Sequence, residues 1–112
     1  MTTEQISDMI NSIGLPYAYY QFDDNPENPP PPLPYICFYY PNDDDFKADN
    51  THYARINELI VELYTENKDF DSEAAVEAVL LSNEMVFGKV ENYIDSEKMF
   101  QIAYTMEVVI NG

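Results

Sequence analysis

The sequence predicts an α+β domain, and three observations carry the prediction. Two segments, one at the start of the chain and one over residues 71–83, place apolar side chains at helical spacing. Several other runs are rich in Tyr, Phe, Val and Ile, and the last of them alternates apolar with polar residues. Short polar links separate most of these runs. The expected order is helix, three strands, helix, two strands, which implies a largely antiparallel sheet of about five strands with two helices packed on it. A chain of 112 residues buries one modest core, so residues 1–112 are read as a single domain with a proline-rich loop or arm at about 23–34.

Each element follows from local chemistry. Thr2 or Thr3 can cap a first helix, with Gln5 completing a capping box on Thr2. Ile6, Met9, Ile10 and Ile13 then form one apolar stripe, Gly14 suits the residue after the helix, and Pro16 prevents continuation. Tyr17 to Phe22 is expected as an aromatic first strand and Tyr35 to Tyr40 as a second, ended by Pro41. Tyr53 to Thr65 fits both a helical stripe (Ile56, Leu59, Ile60, Leu63) and an alternating strand, so periodicity alone leaves it open. The run Val-Glu-Leu-Tyr-Thr favours a strand, and a strand is the prediction. Asp71 is expected to cap the second helix, with Phe70 stapled onto Ala75 and Val76, Val79 and Leu80 buried. Met85 to Ile94 alternates imperfectly. From Phe100 to Ile110 the even positions are apolar and the odd ones mostly polar, the clearest strand in the chain.

Charge excludes whole classes of function. There are 21 acidic residues against 5 basic ones, a net charge of −16, and no Lys or Arg precedes residue 47. Such a surface repels phosphate backbones and anionic headgroups, which argues against ordinary nucleic-acid binding and membrane-surface binding. Apolar residues still make up 46%, enough for a folded core rather than a disordered chain. Cys37, the single cysteine, lies in an apolar run and reads as an inert core thiol. No signal segment or membrane-length apolar run is visible, and folding in a cytoplasm is expected.

Catalytic chemistry has little to draw on. His52 is the single imidazole, too few for a metalloenzyme or a hydrolytic triad, and the three glycines are scattered, so no phosphate loop can form. No cofactor and no enzyme activity are expected. The acidic loop holding Asp43, Asp44 and Asp45 offers hard oxygen ligands suited to calcium, but the sixth and twelfth positions of an EF-hand pattern counted from Asp43 hold Ala48 and Ala54. A solvated loop and a cation site both stay open there. Pro29, Pro30, Pro31, Pro32 and Leu33 form an extended segment with few backbone donors, readable as a rigid connector or as a docking surface for a partner. Abundant strand aromatics, the proline arm and free sheet edges together point toward assembly.

The succession Ile13-Gly14-Leu15-Pro16-Tyr17, Pro32-Leu33-Pro34-Tyr35-Ile36, Ile56 to Thr65 followed by Lys68-Asp69, and Glu97 to Val108 resembles small acidic prophage proteins of Gram-positive bacteria. In these segments the chain looks like the tail-completion, or tail-terminator-like, family of long-tailed phages. The resemblance implies a small α+β protein at the head–tail junction, found in the virion after assembly in the host cytoplasm. It implies a ring, usually of six copies, that stops growth of the tail tube and meets the head connector, with a monomer in solution compatible with that role. It also implies a strand over 53–65 and carries no site residue with it. An acidic DNA-mimic inhibitor of a host DNA-binding enzyme is the competing expectation, drawn from the charge.

Overall fold

The computed structural model describes residues 1–41 and 55–111. In chain order these hold α1 (Thr3–Asn11), β1 (Tyr17–Tyr19), β2 (Tyr35–Tyr39), β3 (Arg55–Thr65), α2 (Phe70–Ser82), β4 (Phe87–Ile94) and β5 (Met99–Ile110). The α+β class and the helix–strand order agree with the expectation. The sheet does not. It is a five-stranded mixed sheet in the order β1-β2-β3-β5-β4, with β1 parallel to β2 and the other neighbours antiparallel. A parallel pair cannot be closed by a hairpin and needs a crossover of a dozen or more residues. Residues 20–34, including the proline run, are that crossover.

Local boundaries follow capping. In α1, the Gln5 amide donates to Thr2 Oγ1 at 3.1 Å and the Thr2 amide donates to Gln5 Oε1 at 2.9 Å, the reciprocal box expected from the sequence. Ile6, Met9 and Ile10 are buried, and Gly14 adopts a φ of 92°, open to glycine at little cost. For α2 the cap moves two residues, from Asp71 to Asp69. Asp69 accepts from both the amide and the hydroxyl of Ser72, at 3.0 and 2.7 Å, and this double acceptance sets the start. The expected staple is replaced too: Phe70 is 73% exposed, with the Lys68 ammonium 4.9 Å from its ring centre.

At its other end α2 closes in a Schellman motif. The Met85 amide donates to the Leu80 carbonyl and the Glu84 amide to the Leu81 carbonyl, both at 3.0 Å, with Glu84 left-handed at a φ of 60°. Met85 is thereby buried under the helix end, and β4 begins at Phe87 rather than at Met85. The first strand is also shorter than expected. It stops at Tyr19 because Tyr20 turns left-handed, φ 69°, and starts the crossover.

β3 and β5 pair along their whole shared length, from Arg55↔Ile110 to Thr65↔Phe100. This pair is the spine of the sheet. Its inner face carries Leu59, Val61, Leu63, Ile102, Tyr104, Met106, Val108 and Ile110, all buried in one core with Ile36 and Phe38 of β2 and the apolar stripes of α1 and α2. Removing that much apolar surface from water is the main term holding the fold. Both described helices contribute to this single core, so among the described residues the opposite face of the sheet has no helix on it. No helix among the described residues is long and apolar enough to cross a membrane.

Candidate functional site

The uncovered face is built by the alternate residues of the same strands. Register places Cys37 beside Glu62 and Ala103, Tyr35 beside Tyr64 and Gln101, and Tyr39 beside Ile60 and Thr105. Strand alternation thus turns a sequence that reads Val-Glu-Leu-Tyr into two faces, one greasy and one amphipathic. The crossover then folds over part of the second face. Phe22 packs edge-on against Tyr35 with ring centres 4.9 Å apart, Tyr35 meets Tyr64 at 5.4 Å, and Tyr20 meets Tyr39 at 5.5 Å.

Between this aromatic layer, the crossover and the end of the β4–β5 hairpin lies a groove of about 520 Å³. Glu62 lies in the groove, in the middle of β3. The Tyr64 hydroxyl donates to its Oε1 at 3.0 Å and Gln101 Nε2 donates to its Oε2 at 2.9 Å, while Gln101 Nε2 also reaches the Tyr64 oxygen at 3.1 Å. All of these donors are neutral. Burial pushes the Glu62 carboxyl above its ordinary value, and hydrogen bonds from Tyr64 and Tyr39 offset that only in part. Its neighbours respond. Burial, followed by the nearby Glu62 charge, lifts the Tyr39 and Tyr64 hydroxyls and pushes the Cys37 thiol up to about 11. Cys37 is buried and stays a thiol at neutral pH, as an inert cysteine should.

The covered side treats its acid differently. Glu73 of α2 is buried, yet Lys68 reaches its Oε2 at 2.7 Å and Lys89 of β4 reaches its Oε1 at 2.8 Å. Lys89 also pairs with Glu77 at 2.8 Å, Lys68 pairs with Glu91, and the Tyr104 hydroxyl donates to Glu77 at 2.8 Å. Burial opposes the charge on Glu73, but the two lysines more than offset it and hold the carboxyl below its ordinary value. This cluster ties α2 to the β4 edge. It is a structural lock.

Of the residues singled out from the sequence, Pro30 lines the aromatic groove and Pro29 and Pro31 line a neighbouring one beside Leu15, Tyr17 and Phe22. Pro30, Pro31 and Leu33 are half-buried and Pro29 and Pro32 exposed, so the run lies along the molecule as the crossover; the Leu33–Pro34 peptide is cis. Asp43, Asp44, Asp45 and His52 lie outside the described residues. No cluster of three or more His, Cys, Asp or Glu side chains able to hold a metal occurs among the described residues.

The sequence predicts a strand over this segment but does not single out Glu62 within it. A glutamate flanked by Val61, Leu63 and Tyr64 in the middle of a long strand is the available signal. In a chain this acidic, one more carboxylate does not stand out. Comparison with protein-family models, with curated proteins and with solved structures returned no match for this chain.

Proposed function

We propose that this chain is a non-enzymatic assembly protein, and that its assembly is the head–tail junction of a long-tailed phage. The observation that supports assembly is the one-sided sheet. One face is sealed by both helices, while the other offers aromatic rings and a half-buried acid to a partner. Both outer strands, β1 and β4, have a neighbour on one side only among the described residues, leaving edges another chain can extend. The segments that resemble the tail-completion family support the narrower reading. In that role the protein completes the tail and joins it to the head connector as a ring of copies, six in the family it resembles. Its partners there are the tail-tube protein and the connector. Net charge of −16 gains a use in such a ring, because an acidic lumen passes DNA without holding it.

Electron microscopy of particles from an induced prophage lacking the gene tests the reading. Filled heads separated from tails, or tails of abnormal length, are the expected outcome. Normal infectious particles overturn it and favour the DNA-mimic inhibitor, which then has to protect DNA from a purified restriction enzyme.

A further inference from the structure

We propose that the groove over Glu62 is a receptor for an arginine side chain presented by a partner protein. The inference rests on reading the uncovered face as a docking surface, and it names what docks there. Four observations favour a guanidinium. Among the described residues the half-buried Glu62 carboxyl is met by neutral donors, and none of those lining the groove is a lysine or an arginine. Lys68 and Lys89 are held in the Glu73 cluster instead. A carboxylate has about four acceptor sites, so the bonds from Tyr64, Gln101 and Tyr39 leave capacity for a charge-assisted one.

The walls are rings. Tyr35, Tyr39 and Tyr64 rise from the strands and Phe22 from the crossover, so a flat cation entering the groove meets π faces as it approaches the acid. Asp24 and Glu97 also line the groove and add negative potential. A guanidinium stacks on such rings, is weakly hydrated and donates as a planar fork. An ammonium is compact, strongly hydrated and better served in water. A divalent metal wants several hard oxygens converging on one point, and the described residues supply no such cluster. The groove is large enough for one side chain and its backbone turn, but not for a globular element.

The titration uses the whole chain with acetyl-Gly-Arg-Gly-amide as probe, followed by backbone amide NMR, and acetyl-Gly-Lys-Gly-amide as comparison. The expected result is saturable shifts confined to the amides around residues 20–24, 35–39, 62–64 and 99–101, with the lysine probe at least threefold weaker. Glu62→Gln should weaken the arginine probe at least tenfold. Tyr64→Phe, which keeps the ring and removes one hydroxyl that orients the acid, should weaken it about threefold, and it serves as the test where Glu62→Gln fails to fold. No saturable shift, equal binding of the lysine probe, or affinity unchanged in a folded variant overturns the proposal.

Particle assembly with Thr105→Arg, a bulky change on the uncovered face outside the groove, separates this inference from the reading it rests on. Assembly lost with a silent titration keeps the docking face and rejects the arginine. Normal assembly with a positive titration keeps the arginine site and rejects the docking face.

Discussion

Glu73 and Glu62 are the same residue type removed from water in two parts of one small domain, and the protein deals with them in opposite ways. Glu73, on the buried side of α2, is met by two lysines and its carboxyl is held below the ordinary value. Glu62, on the uncovered side of β3, is met by hydroxyls and an amide, and burial keeps its carboxyl above the ordinary value. A buried charge is tolerated when it is paired, and remains a standing cost when it is not. The first acid is finished within the chain. The second keeps acceptor capacity, which the arginine proposed above would use.

The strongest test of that contrast compares one residue from each face of the β3–β5 pair. Leu63→Ala, on the sealed side, should cost about 3 kcal/mol in urea unfolding, because it leaves a cavity at a fully buried core position. Thr105→Ala, exposed on the other side of the sheet, should change stability by less than about 0.5 kcal/mol. Similar costs for the two would mean that the second face is packed after all.

Next in size is the lysine pair. Replacing both Lys68 and Lys89 by Met strands Glu73 and should lower the urea midpoint, by less than Leu63→Ala does because the ammonium groups are partly exposed. Glu73→Gln combined with that double change should recover part of the loss. Recovery of nothing would mean that the lysines act through packing rather than charge.

A smaller effect, in the opposite direction, is expected at the end of α2. Glu84 holds a left-handed φ and places negative charge at a helix C-terminus, both unfavourable, so Glu84→Gly should stabilise by about 1 kcal/mol in the same unfolding assay. No gain would indicate that the glutamate has a compensating contact.

The subtlest test is the pH dependence of stability. Glu73 has a depressed folded pKa, so its contribution is present above the ordinary carboxylate value of 4.5 and is lost as pH falls through the lower folded value. Glu62 has a raised folded pKa, so its contribution is present below 4.5 and is lost as pH rises through the higher folded value. Between neutral pH and 4.5 the native protein should therefore gain a little from Glu62 on acidification. Glu62→Gln should remove that part of the slope and leave the loss at lower pH unchanged, as read from urea midpoints across the range. An unaltered slope would mean that Glu62 is already satisfied.

The elements were legible from the sequence because their causes are local. Ile6, Met9 and Ile10 share a stripe set by helical spacing, Thr2 and Gln5 cap each other within one turn, and the even positions of β5 face inward by strand alternation alone. The β3 segment was ambiguous by period and was settled by its β-branched and aromatic content. The cap of α2 shifted from Asp71 to Asp69 because two neighbouring aspartates compete, and Ser72 decided between them through its hydroxyl.

Sheet topology and the groove were settled only by the tertiary structure. Nothing local says that Tyr17 will run parallel to Ile36, since that pairing depends on the path of residues 20–34. Glu62, Tyr35 and Gln101 come from three strands, and their meeting follows from register between segments far apart in the chain. Sequence by itself determined an acidic, single-core α+β domain, through composition and periodicity, which act residue by residue. Which acid received lysines and which was left facing an aromatic groove depended on long-range pairing, because charge compensation is a matter of a few ångströms in space and not of distance along the chain.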